Sequence, residues 1–254
     1  MIAALLVSGA VGGLLSGFFG VGGGIVMVPL LMIWAGMNER RAAATSLVAI
    51  VPTAIAGSIT FGVAGQVDLT TAVLIGAGAI AGAPLGALLL RAVPLLWLRW
   101  LFIAGLLAAA LRLILFEIER GGQVELSFGV GVALVALGLI MGVASGLFGI
   151  GGGVIAVPVL IAVFGAGDLV AKGTSLAAMI PTAIAGTIPN LRAGLVDLRQ
   201  GVIVGVAAVV FSQLGVVLAF IVPPAISGPL FGVFLILVVT QLVVRAIRLG
   251  TREQ

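Results

Sequence analysis

Laid on itself with an offset of 129 residues, from Gly20 to Gly149, the chain repeats without a gap. Between Gly13 and Asp68, about half the positions are identical to those between Gly142 and Asp197. The two halves must therefore share one fold and be explained together. The centre of the match is Gly20-Val21-Gly22-Gly23-Gly24-Ile25-Val26-Met27-Val28-Pro29, which returns as Gly149-Ile150-Gly151-Gly152-Gly153-Val154-Ile155-Ala156-Val157-Pro158. A glycine inside a helix weakens it by about 1 kcal/mol relative to alanine. Three in a row inside an apolar segment predict a helix that breaks and restarts.

The solvent follows from composition. Of 254 residues, 62% are hydrophobic and only 8% are charged, with a mean hydropathy of +1.42. Soluble domains carry about 25% charged residues, so the chain reads as an all-α, polytopic membrane protein. It has no cysteine, histidine or tyrosine. That excludes disulfides and thiol chemistry, and removes the usual proton shuttle and metal ligand. Neither a metal site nor a cofactor is expected. The pI near 11.4 reflects a net charge of only +4, with basic residues scattered through short loops. This is the pattern of loops beside membrane spans, not a nucleic-acid surface. The apolar N-terminal run has a mid-chain duplicate from about Phe128 to Ser145. It is therefore expected to belong to the fold rather than to a cleaved signal.

Each half predicts the same pieces. In the first these are Ile2 to Phe18, the break, Ile25 to Trp34, Ala42 to Val63 with Pro52 at its middle, Leu69 to Leu90, and Leu95 to about Phe116. A turn with Arg91 and Pro94 joins the last two. Residues 1–116 form the first transmembrane repeat, 117–125 a polar linker with Glu119, Arg120 and Gly121-Gly122, and 126–254 the second repeat. In all, about eight to ten helical segments are expected. Ile25 to Trp34 is too short to span, since a crossing needs about 20 apolar residues. It is either the return of a re-entrant hairpin or a short crossing extended at its end.

The basic residues discriminate between topologies. If each repeat crosses an odd number of times, the second is inverted. Arg40, Arg41, Arg91, Arg99, Arg192, Arg199, Arg245, Arg248 and Arg252 then share one face, against Arg112, Arg120 and Lys172 on the other. An even count leaves little bias. The positive-inside rule thus favours two inverted-topology repeats with both termini cytoplasmic.

Backbone freed from a helix inside a bilayer survives only when buried in protein or lining a cavity. The restarted helices would aim free N–H groups and positive dipole ends inward. Gly22, Gly23, Gly24, Gly151, Gly152 and Gly153 are therefore candidate ligands of an anion. Close helix packing is the alternative. Ser16, Ser145, Thr45, Ser46, Thr174 and Ser175 could add hydroxyl donors, or could satisfy carbonyls of their own helices. Pro52-Thr53 and Pro181-Thr182 mark kinks whose freed carbonyls such hydroxyls can meet. Asp68 and Asp197 either cap the helices that follow them or act as gate or coupling groups. The second half has Asn190, Arg192 and Gln213 where the first has Phe61, Val63 and Pro84, and Ser212 is a further polar addition. Of these the mid-segment Gln213 and Ser212 qualify best as substrate contacts. All eight acids fall in loops, segment ends or the linker. Without a deep carboxylate, an anion or neutral solute is favoured over a cation.

The ordered set Gly22-Gly23-Gly24 to Val28-Pro29, Thr45-Ser46, Pro52-Thr53 and Gly65-Gln66-Val67-Asp68 recurs from Gly151 to Asp197. It resembles the sulfite exporter TauE/SafE family over essentially the whole chain. The resemblance implies a bacterial or archaeal inner-membrane permease for small sulfur-containing anions such as sulfite or organosulfonates. Alternating access around the breaks is the expected mechanism. A channel-like or uniport permease for another small anion or a neutral solute is the alternative, and a membrane scaffold a further one. An enzyme is not expected: a serine nucleophile needs a base, there is no histidine, and Lys172 is read as flanking a loop. The expected partners are a small anionic substrate and the lipid bilayer, with oligomeric state left open.

Overall fold

The computed structural model describes residues 1–92, 95–115 and 122–250, and among them every regular element is helical. The order is α1 (Ile2–Phe19), α2 (Gly24–Trp34), α3 (Glu39–Val63), α4 (Leu69–Ala92), α5 (Leu95–Leu115), α6 (Phe128–Phe148), α7 (Gly153–Ala162), α8 (Asp168–Arg192), α9 (Leu198–Ile221) and α10 (Pro224–Gly250). The helices α1, α3, α6, α8, α9 and α10 contain apolar stretches long enough to cross a membrane. The segments expected from the sequence agree with these to within about three residues at either end. The larger shift is at α3, which starts at Glu39 because Asn38 caps it, accepting the Arg41 N–H at 2.9 Å.

Several expectations fall outside the described residues. These are the turn at Pro94, the linker positions Glu117, Glu119, Arg120 and Gly121, and Arg252. The side chains of Pro84, Arg91, Arg99, Arg245 and Arg248 lie outside them too.

The halves do not fold separately. Helix α1 packs chiefly on α9, and its counterpart α6 packs chiefly on α4, so each repeat lends its first helix to the other. Glycines make the approach close. A Cβ on Gly9, Gly13 or Gly17 would strike the α9 backbone at Val204, Ala208 or Ser212, and Gly138 and Gly142 meet α4 at Ile75 and Ala79 in the same way. Small residues at helix contacts are what lipid selects, because apolar side chains gain little by leaving one hydrocarbon for another. Helix α9 shows the result. Gly201, Gly205, Ala208 and Ser212 face inward, while Val202, Val206, Val210 and Val217 are more than half exposed. Large apolar residues outside and small ones inside are the reverse of a water-soluble bundle.

These contacts also fix directions. Positions 9, 13 and 17 meet 204, 208 and 212 in rising order, so α1 and α9 run parallel. Gly57 meets Leu176 whereas Gly186 meets Leu47, so α3 and its counterpart α8 run antiparallel. The short α2 turns back along α1, with Gly12 against Met27 and the Gly23 carbonyl. Leu5, Met27, Val28 and Leu31 close into one apolar cluster there.

Candidate functional site at the paired glycine breaks

Helix α1 ends at Gly20, whose backbone is left-handed (φ 72°, ψ 22°) and whose N–H donates to the Ser16 carbonyl at 2.8 Å. Gly22 and Gly23 follow with φ of 77° and 71°, and α2 begins at Gly24. The second break matches it, with φ of 68°, 74° and 81° at Gly149, Gly151 and Gly152. A side chain at any of these would crowd the backbone at a cost of about 1–2 kcal/mol. Gly24 and Gly153 are helical, and their requirement is space. A Cβ on Gly24 would stand 2.9 Å from the Gly149 carbonyl oxygen, and one on Gly153 would stand 3.0 Å from that of Gly20. The two breaks thus touch, backbone to backbone, at the meeting of the halves.

At each restart the first backbone bonds come from the third residue after the cap: Val26 N–H to Gly23 O at 3.0 Å, and Ile155 N–H to Gly152 O at 3.0 Å. The N–H groups from Val21 to Ile25, and from Ile150 to Val154, form no hydrogen bond within the described protein. Helix starts leave such donors unmatched unless something caps them, and neither Gly23 nor Gly152 has a side chain that could.

The predicted hydroxyls divide. Ser16, Ser145 and Ser175 are fully buried and make no hydrogen bond, an arrangement that needs explanation in a native interior. Ser46, the counterpart of Ser175, donates to the Ala43 carbonyl at 2.8 Å and to the Gly149 carbonyl at 2.8 Å. Thr174 accepts the Asp68 N–H at 2.9 Å, and Thr45 is buried. The threonines after the helix prolines serve their own helices: Thr53 donates to Ala49 O at 2.7 Å and Thr182 to Ala178 O at 2.8 Å. Gln213 is drawn to α3, accepting the Thr60 hydroxyl proton at 2.7 Å. Asp68 and Asp197 both act as helix caps. Asp68 receives the Thr71 N–H at 3.0 Å and the Thr71 hydroxyl at 2.6 Å, and Asp197 receives the Gln200 N–H at 3.2 Å.

The sequence did not single out what fills the space between the turns. Met179 and Ile50, themselves counterparts, are both fully buried. The Met179 Cε lies against Gly22 and would be 2.5 Å from a Cβ on Gly151, which would in turn be 3.2 Å from the Ile50 Cδ1. The unpaired donors therefore surround an apolar plug whose larger member is the most flexible of apolar side chains. Two related apolar clefts lie along counterpart helices, outside the breaks. One, of about 660 Å³, is lined by Pro52, Gly201 and Gly205, and the other, of about 680 Å³, by Pro181, Ala72 and Gly76.

Lys172 corrects the sequence reading. Expected beside a loop, it is fully buried, and its Nζ lies 2.9 Å from the carboxylate of Asp168, which is only 2% exposed. Its ammonium also donates to the Ser227 hydroxyl at 2.7 Å and lies 5.4 Å from the centre of the Phe18 ring. The first turn of α8 is buried because the end of the linker folds over it, with Gly167 N–H bonded to Gly122 O at 2.8 Å and Val124 buried. Asp168 is thus a buried acid, although it stands at the start of α8, the segment end where the sequence placed it. The available signal was the i, i+4 spacing of opposite charges at a segment start, together with the exchange of Ala43 for Lys172 between halves.

Comparison with known proteins agrees with this architecture. The family model described as Sulfite exporter TauE/SafE matches residues 1–113 and 134–254. A protein of Xylella fastidiosa (strain 9a5c) named "Probable membrane transporter protein" is 30% identical over 250 residues, covering 94% of each chain. "Probable membrane transporter protein YdhB" of Bacillus subtilis (strain 168) is 28% identical over 188 residues, 73% of this chain and 77% of its own. No solved structure gives a significant match.

Proposed function

Because the chain belongs to the sulfite exporter TauE/SafE family of membrane transporters, we propose that it is a secondary transporter of small sulfur-containing anions, such as sulfite or organosulfonates. It works by alternating access across the cytoplasmic membrane, with both termini inside.

One observation carries the anion reading. Two abutting helix breaks present unbonded N–H groups beside three buried hydroxyls, Ser16, Ser145 and Ser175, that have no hydrogen-bond partner among the described residues. Donors without acceptors suit an anion, which arrives with acceptors and needs its water replaced. The positive ends of α2 and α7 add to the attraction. With Met179 and Ile50 between the turns, the breaks are closed, and the site would open only as that plug withdraws.

Antiparallel counterpart helices and the exchange of α1 and α6 between halves support two inverted repeats that rock against each other. Thr45, Ser46 and Thr174 then hold the breaks in place, Gln213 tunes the contact of α3 with α9, and Asp68 and Asp197 fix helix starts. The chain is no enzyme on this reading. Lys172 does touch a serine, but its pairing with Asp168 makes it a donor to Ser227 rather than a base.

Flux into liposomes tests the proposal. Purified chain should carry at least one of sulfite, sulfoacetate and thiosulfate above protein-free background. Movement of a cation in place of all three would overturn the anion reading.

A further inference from the structure

We propose that Asp168 and Lys172 form the coupling site of this transporter, where a proton and the anion bind together. The proposal rests on the anion reading above and assigns it a driving ion.

The pair is not required by the fold, because the first repeat builds the same junction without it. Gly149 packs against Ala43 as Gly20 packs against Lys172, and a Cβ on Gly20 would stand 2.6 Å from the Lys172 Cα. Asp168 has Glu39 as its counterpart, at the opening of α3. A buried ion pair costs desolvation that its mutual attraction seldom exceeds, so its presence in one half alone calls for a use. The hydroxyls differ in the same sense. Ser46 is bonded to the Gly149 carbonyl, while Ser175 is unbonded. Ser175 lies three residues beyond Lys172, on the same helix face. Helix α8, whose Lys172 backbone packs on Gly20, is thus the one furnished with an ammonium and an available hydroxyl.

Charge balance gives the mechanism. With the site empty, the Asp168 carboxylate neutralises the Lys172 ammonium. A proton from water adds to the carboxylate, and the positive charge left on the ammonium balances the anion held at the adjoining breaks. The site is neutral before and after for a monovalent anion such as hydrogen sulfite, and for a divalent one such as thiosulfate the proton leaves one net charge instead of two, which a buried site of low dielectric favours. One proton then accompanies each anion. Among the described residues, the elements around the pair bring few other charges. Helices α1, α6 and α7 have no ionisable side chain, and Ser227 of α10 is a neutral partner. The linker end that covers α8 carries Glu125, which is exposed. The acid beside α4 is Asp68, which is engaged with Thr71, while α3 carries Glu39, Arg40 and Arg41 in its first turn and α5 carries Arg112.

The test uses the full chain in liposomes and whichever of sulfite, sulfoacetate and thiosulfate the wild type carries best. If it carries none, the anion reading fails rather than this one. Wild type should accumulate the anion several-fold more when the exterior is acidic. Asp168→Asn should keep anion counterflow and lose that stimulation. Lys172→Met should lose counterflow as well. Should Asp168→Asn prove unstable, Asp168→Asn/Ser227→Asp returns a carboxylate to another hydrogen-bond partner of Lys172 and should regain the acid stimulation. Wild-type flux indifferent to the pH gradient would overturn the proposal. So would full stimulation in Asp168→Asn, or a folded relocated-carboxylate variant without it.

Discussion

The Ser46 hydroxyl donates a 2.8 Å hydrogen bond to the Gly149 carbonyl, tying α3 of the first half to the break of the second. Its counterpart, Ser175, makes no bond. The same residue at equivalent positions is thus structural in one half and unengaged in the other. Removing the hydroxyl should separate these roles. Ser46→Ala leaves a buried carbonyl short of its side-chain donor and should cost about 1–3 kcal/mol. Ser175→Ala should leave stability nearly unchanged and lower anion flux. Thermal unfolding in detergent, followed by tryptophan fluorescence, measures the first effect, and liposome uptake the second.

The glycines of the breaks should be far less tolerant than glycines in open turns. Gly20→Ala combines a left-handed backbone with a Cβ 2.6 Å from the Lys172 Cα and 2.9 Å from its carbonyl oxygen. Backbone cannot move aside as a side chain can, so a loss beyond the strain of about 1–2 kcal/mol is expected. Gly36→Ala has similar strain and nothing within 4 Å, so it should lose the strain alone. Paired thermal melts compare the two.

Met179 plugs the space between the turns and reaches both Gly22 and Gly151. Met179→Ala should destabilise the chain by about 2–5 kcal/mol, as other large-to-small core changes do. It should also raise downhill anion flux, because the closed centre loses its filling. A folded Met179→Ala with wild-type or lower downhill flux would show that the plug does not limit passage.

Asp68 and Asp197 offer a discrimination that conservative replacement can make. Asparagine caps helices about as well as aspartate. If capping is their role, Asp68→Asn and Asp197→Asn should retain stability and flux, while Asp197→Ala should lose about 0.5–2 kcal/mol. Flux lost in the asparagine variants, with melting temperature unchanged, would return these carboxylates to a gating or coupling role.

Much of the fold was legible because its signals are local. Glycine runs, caps at Asp68 and Asp197, and apolar lengths set the helix ends with little help from packing, while the cap at Asn38 was passed over. The self-alignment also placed the breaks in matching positions. It could not show that they touch, because an offset compares residues without stating their neighbours. The exchange of α1 and α6 between halves was hidden for the same reason. Lys172 was misread because position along a segment stood in for burial. The residues that it meets, Phe18, Gly20 and Ser227, belong to other segments, which a reading along one segment does not bring together. Met179 and Ile50 were invisible as a plug because apolar side chains are ordinary everywhere in this chain.

The central claim is that the N–H groups of the two breaks hold a small anion where the halves meet. The most direct measurement is an experimental structure of the chain in lipid with thiosulfate. The account predicts density between the breaks, about 3 Å from N–H groups of Gly22 to Gly24 and Gly151 to Gly153, with Met179 displaced. Anion density elsewhere, with Met179 still seated against Gly22, would contradict it.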